Sequence, residues 1–264
     1  YRAGALDEAV SRMICANSRT PGKVMADINA LAAGGNVAAV RLAETIAKYG
    51  PAPLNAMIEE LLDYSERLVR QGFAAMPDGV YTGGFTVEND GVIADRDYPV
   101  RVRLEIAGSE CRLDFTGSAA QATGAINSTA SQTLSCINYA LRCHLDPTIP
   151  MNEGFYRPIR TILPPGSVVN CTYPSACNIR LATGQAVIDA VLEAMAAIDE
   201  TRAMAPGATV HTLNMQGQNP DGSLWSMLDV SFGSCGARHG EDGGDGLPLL
   251  FHGQAGYERN LEGY

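Results

Sequence analysis

An α+β fold is predicted by three observations. Apolar residues recur at helical spacing through the first third of the chain, the period switches to strict alternation after Pro77-Asp78-Gly79, and the alternating runs lie close enough in sequence to pair as hairpins. The expected organisation is a helical subdomain over 1–77, followed by an α+β subdomain over 78–264 that is mostly antiparallel sheet with packed helices.

Thr20-Pro21 supplies a capping residue and a proline at the first helical position, so a helix is expected to start there and run toward Gly50. Gly34-Gly35 predicts a break or a close crossing, with Asn36 capping the second piece. From Pro53 to Ala75 the residues Leu54, Ile58, Leu61, Leu62, Leu68, Val69 and Phe73 form an apolar stripe opposite Glu59, Glu60, Glu66 and Arg67. Val100, Val102, Leu104 and Ile106 alternate with charged residues, as do Cys111, Leu113 and Phe115; a hairpin turning at Gly108-Ser109 follows, with Gly79–Glu88 as a third strand. Ser131–Leu145 and Thr183–Ile198 read as helices, the second capped by Thr183, with Ile188, Val191, Leu192, Met195 and Ile198 on one face. Short strands are expected at Arg160–Leu163 and Ser167–Cys171 around Pro164-Pro165-Gly166. A second hairpin is expected from Thr209–Gln216 and Leu224–Phe232, turning through Asn219-Pro220-Asp221-Gly222.

Composition excludes several function classes. With 46% apolar and 18% charged residues, 264 residues can bury a core. A net charge of −10 and a pI near 4.8 argue against nucleic-acid binding, which needs a clustered basic surface. Ala186–Ile198, the most apolar helical stretch, is too short to span a bilayer and carries Asp189 and Glu193. No signal peptide is visible, and the start at Tyr1 suggests excision from a longer chain. Seven cysteines without metal-ligand spacing read as reduced thiols of a cytoplasmic protein.

The densest unusual segment is Gly233–Gly246, rich in glycine and carrying Arg238, His239, Glu241, Asp242 and Asp245. Glycine lets backbone amides approach a ligand, but the carboxylates oppose phosphate and neither G-x-G-x-x-G nor the P-loop lysine is present. The segment is either a tight turn or a substrate-facing loop. His144, His211, His239 and His252 show no paired metal spacing. His144 ends a helix, where a cation complements the dipole; His211 reads as a structural strand residue; His239 can be tuned by its charged neighbours. Asn127 and Asn152 sit among turn formers, as Asx-turn or capping residues or as ligand contacts. No nucleophile constellation stands out.

Four short motifs occur in order: DFTGS at Asp114–Ser118, GAIN at Gly124–Asn127, YALRC at Tyr139–Cys143 and IPMNEG at Ile149–Gly154. Together with Ala16–Ala30, Leu61–Arg67 and the glycine-rich CGARHGEDGGDG at Cys235–Gly246, they resemble the B-type subunit of the hydantoinase/oxoprolinase family over nearly the whole chain. The resemblance implies an A-type partner subunit of actin-like fold that binds ATP and Mg, and ATP-dependent opening of a cyclic amide such as a hydantoin or 5-oxoproline. A related branch carboxylates ketones such as acetone. A non-catalytic assembly module is the reading from another class. The family's metal-associated motifs, N-D-P-Y and A-H-H-x-D-V-G-G, are not found, which implies a C-terminal portion whose divalent metal belongs to the part upstream. This chain alone is then expected to bind no metal or cofactor and to be catalytically silent. The match favours the substrate-facing reading of the glycine-rich loop, in which Arg238, a fixed cation, and His239, tuned by its charged neighbours, are the candidate catalytic residues, with Asn127, Gly236 and Asp242 as candidate substrate contacts. Where the family commonly continues into N-T-P-x-E, this chain reads FHGQAGYERNLEGY from Phe251 to Tyr264, leaving the substrate open.

Overall fold

A computed structural model describes residues 4–207, 211–231 and 233–244. Contacts divide the chain into two compact units: 1–60 with 212–230, and 61–211 with 231–264.

The first unit holds α1 (Glu8–Ala16), α2 (Pro21–Tyr49) and the start of α3 (Pro51–Ala74), together with a two-stranded ribbon of β5 and β6 described below. Asp7 caps α1, its Oδ1 accepting from the amides of Ala9 and Val10 at 3.1 Å. Pro21 opens α2 as expected, but the helix runs unbroken through Gly34-Gly35, and Asn36 is not a cap. Neither glycine has an atom within 4 Å of where its Cβ would stand, so no close crossing needs them. Alanine and leucine on both sides outweigh two local costs of about 1 kcal/mol each. No described residue of α1 or α2 is buried.

In the second unit, β1 (Gly79–Val87), β2 (Tyr98–Ala107), β3 (Glu110–Asp114) and β4 (Ile159–Ile162) form one sheet in that order. The helix-to-strand change falls at Pro77–Gly79, where expected. β1, β2 and β3 are antiparallel, with Leu104 opposite Leu113 and Ile106 opposite Cys111. The hairpin turns at Gly108, whose φ of +58° suits glycine. Val100, Leu104, Leu113 and Phe115 are fully buried, so the alternating pattern was a core pattern. β4 joins parallel to β3, reached through α4 (Ala130–His144) and the single turn α5 (Glu153–Tyr156).

α6 (Arg180–Ala196) packs on β1 and β2. It is buried on nearly every side rather than along one face, as a helix apolar all round must be. Gly83 allows this approach: a Cβ there would stand 2.0 Å from the Ala190 carbonyl oxygen. Thr183 is not the cap; it lies inside α6 and donates to the Ile126 carbonyl at 2.6 Å. Ser167–Cys171 is not a strand. Gly166, at φ +76°, turns the chain, and Ser167 makes isolated bridges to Ala120 and Asn170 while the Asn170 side chain donates to Leu163.

The ribbon comprises β5 (His211–Gln218) and β6 (Leu224–Ser231), turning through Asn219–Gly222 as predicted. Thr209, Val210 and Phe232 of that expectation lie outside the described residues. No described helix is long and apolar enough to cross a membrane.

Candidate functional site at the end of helix α4

The GAIN motif is a packing hub. Asn127 is fully buried; its Oδ1 accepts from Ala122 N at 2.7 Å, and its Nδ2 donates to the carbonyls of Ala122, Gly124 and Ala176 at 3.0 Å. Expected to contact substrate, it has no free surface to offer one; it fastens three pieces of loop. A Cβ on Gly124 would stand 1.9 Å from the Asp90 carbonyl oxygen. The Asp90 carboxylate accepts from the amides of Gly124, Val92 and Ile93 and from the Tyr98 hydroxyl, and these bonds hold it well below the usual carboxylate range. Asn152 of IPMNEG likewise caps α5 through Gly154 N and donates to Ser65 Oγ. Asp114 and Ser118 of DFTGS bind Thr116 N and the Arg101 backbone. In these three motifs Asn127, Asn152, Asp114 and Ser118 serve the scaffold.

The glycine-rich segment folds back on itself beside Met204–Pro206. Ala205 N donates to Ala237 O at 2.8 Å, and Arg238 and Glu241 exchange backbone hydrogen bonds around a turn closed by Gly240 at φ +74°. Gly236 is required for packing, since a Cβ would stand 1.9 Å from the Ala205 carbonyl oxygen. Arg238, His239 and Asp242 therefore share one exposed turn, apart from Asn127 in hydrogen bonding. The Arg238 guanidinium meets Glu241 at 2.6 Å, both side chains more than half exposed. Such a pair is worth no more than about 1 kcal/mol, so an incoming anion can compete for the arginine. Asp245 and His252 lie outside the described residues, as does the side chain of His211.

The same segment carries Cys235 toward the YALRC motif on α4. Tyr139, half-buried and hydrogen-bonded to the Cys143 thiol, has its phenol pushed up to about 12, first by burial and then by the nearby Cys143 and Cys235 sulfurs. One turn on, His144 is not the dipole-compensating cation expected. It is 7% exposed, neither ring nitrogen makes a well-formed hydrogen bond among the described residues, and burial followed by the Arg202 charge lowers its pKa against a weaker pull from the Ala140 carbonyl. Arg202 takes the cation's place, donating to the carbonyls of His144 at 2.6 Å and Cys143 at 3.0 Å. His144 and Arg202 line a cavity of about 660 Å³ with Gly72, Met76, Met195 and Asp199 among its other walls. Sequence alone gave Arg202 and Asp199 no distinguishing signal; they matter because a 3-10 turn, Glu200–Arg202, returns beside the end of α4.

A further titratable group, Asp189, is buried, and a pair of half-buried thiols lies nearby in the chain. Asp189 on α6 accepts from Gln185 Nε2 at 3.0 Å, its other oxygen lacks a partner among the described residues, and burial pushes its carboxyl up to about 6. Cys171 and Cys177 stand with sulfurs 3.4 Å apart. No described group of three or more His, Cys, Asp or Glu is arranged to hold a metal ion, so no metal chemistry is assigned to these residues.

The hydantoinase B/oxoprolinase model matches residues 1–255. The putative D-/L-hydantoinase B-type subunit of Pseudomonas sp. (strain NS671) is 32% identical across 95% of this chain, and the beta subunit of the caprolactamase of Pseudomonas jessenii is 27% identical across 92%. The crystal structure of the ATP-dependent caprolactamase from Pseudomonas jessenii superposes over 94% of the chain with a TM-score of 0.83 at 25% identity. A nucleotide-free acetone carboxylase structure shares the fold over 90% of the chain, with a TM-score of 0.76 at 18% identity. The chain spans 44% of the hydantoinase relative and 42% of the caprolactamase relative. A match along nearly all of its length makes this chain a member of the hydantoinase B/oxoprolinase family.

Proposed function

We propose that this chain is part of the B-type subunit of an ATP-dependent cyclic-amide hydrolase that works with an A-type, ATP- and Mg-binding partner. The observation that carries this reading is the joint likeness, in sequence and in fold, to an ATP-dependent caprolactamase and, in sequence, to a hydantoinase component. The acetone carboxylase, at 18% identity, supports the fold alone. An unactivated amide carbonyl is a poor electrophile. Transfer of a phosphoryl group to its oxygen on the partner side creates a leaving group, and hydrolysis then yields phosphate, a carboxylate and the freed nitrogen, an amine from a lactam and a ureido group from a hydantoin. This chain supplies a stiff sheet-and-helix frame and one exposed turn carrying Arg238, His239 and Asp242. A guanidinium there suits a carboxylate or a phosphorylated intermediate, which it can grip through two parallel hydrogen bonds.

The test is ATP turnover by the complete B-type protein with its A-type partner, measured against a panel of hydantoins, caprolactam and 5-oxoproline. Stimulation by at least one cyclic amide, with the opened product formed, is expected. Stimulation only by a ketone with bicarbonate would move the protein to the carboxylase branch, and no stimulation by either would leave an assembly role.

A further inference from the structure

The cavity at the end of α4 has a chemical character of its own. Its walls include Ala75, Met76, Leu145, Pro147, Met195 and Ile198, and its volume of about 660 Å³ suits a small organic molecule. The C-terminal ends of α3, α4 and α6 all contribute lining residues; the last carbonyls of α3 and α6 carry partial negative charge, while those of α4 are met by Arg202. Asp146 and Asp199 add two carboxylates. Each accepts through Oδ1 from a neighbouring threonine, Thr148 or Thr201, and these bonds favour the ionised form. Arg202, the cation among the lining residues, spends its donors on the α4 carbonyls but keeps its charge, which is felt at Asp199, so against the two carboxylates the lining carries a net single negative charge. His144, more than nine-tenths buried, contributes a ring whose nitrogens make no well-formed hydrogen bond among the described residues. As a neutral imidazole it has one acceptor nitrogen to give.

Apolar walls beside an excess of negative charge select a cation carried on a hydrocarbon chain. We propose that this cavity binds a short aliphatic primary amine, its ammonium group at Asp199 and Asp146 and its methylenes along Met76, Leu145 and Met195. The proposal extends the cyclic-amide reading, because opening a lactam frees an amine; it rests on that reading only for the source of the ligand.

Calorimetric titration of the complete B-type protein with n-hexylammonium, 6-aminohexanoate and n-hexanoate tests it without ATP or a partner. Both amines are expected to bind, while hexanoate gives no saturable heat at about 10 mM. Asp199→Asn should weaken amine binding about tenfold. Ala75→Phe, which fills the cavity from an exposed wall position and leaves every charge in place, should abolish it. If Asp199→Asn fails to fold, Asp146→Asn at an exposed position is the equivalent variant and should weaken binding in the same direction. The proposal is overturned if hexanoate binds as tightly as the amines, if neither amine binds, or if the folded variants bind like the unmodified chain. A complex that opens lactams while this chain ignores amines would sink the site and spare the function; amine binding beside an inactive complex would do the reverse.

Discussion

Asp189 offers a stability test whose size follows from its surroundings. Its carboxyl is 6% exposed, one oxygen is bonded to Gln185 and the other has no partner among the described residues. Burial raises its pKa to about 6. A carboxyl with a raised folded pKa favours the folded state while it is protonated, so its contribution is fully present below the unfolded pKa. The contribution is lost as pH rises through about 6. A displacement of about two pH units, at about 1.4 kcal/mol each, costs the folded protein about 3 kcal/mol once the group is ionised. Asp189→Asn keeps an acceptor for Gln185 but places an amide where the unpartnered oxygen stood, at a cost of about 1–3 kcal/mol. That cost does not depend on pH, so it cancels when two pH values are compared. Urea denaturation of both proteins at pH 4 and at pH 7.5 should therefore show the stability of the variant, relative to the parent, improving by about 2–3 kcal/mol at the higher pH. Parallel stability profiles, agreeing within about 0.5 kcal/mol, would refute the reasoning and require Asp189 to be solvated or paired.

Four other outcomes are expected. Leu113→Ala, at a fully buried position in the centre of the sheet, should cost about 2–5 kcal/mol in chemical denaturation; a surface-like loss would contradict the burial. Asp90→Asn should destabilise most above the ordinary aspartate pKa of about 3.9. A depressed carboxyl stabilises the fold there and loses its effect as pH falls, so the gap from the parent should narrow in acid. A constant gap would mean that Asp90 holds Gly124 and Tyr98 without its charge. In the full complex Arg238→Ala should lower turnover by about tenfold or more while leaving thermal stability nearly unchanged, since its ion pair is exposed. Unchanged kinetics on every accepted substrate would remove it from the site. The 264-residue chain by itself should neither hydrolyse ATP nor open a lactam, because catalysis shared between segments is lost when one is missing; robust activity of the isolated chain would reveal a complete site here.

The elements that the sequence alone determined are those whose cause is local. Period-two alternation from Val100 to Phe115, interrupted by Gly108-Ser109, admits little but a hairpin, because a slip of one residue would expose Leu104 and Leu113 together. The start of α2 at Pro21 and the end of α3 just before Pro77 were legible for the same reason. The family was legible too, through four short motifs. What those motifs do was not. The Asn127 side chain suits a cap, a turn or a ligand, and only the convergence of Ala122, Gly124 and Ala176 around it assigns it to the scaffold. Gly34-Gly35 failed as a break because the helix-forming residues around it set the outcome over a longer span than the glycines do. The parallel strand β4, the burial of His144, and the meeting of Arg202 with the end of α4 all bring together residues far apart along the chain. Their desolvation and hydrogen bonding depend on which surfaces pack together, a choice settled by the sum of burial over the whole core rather than by any window of sequence.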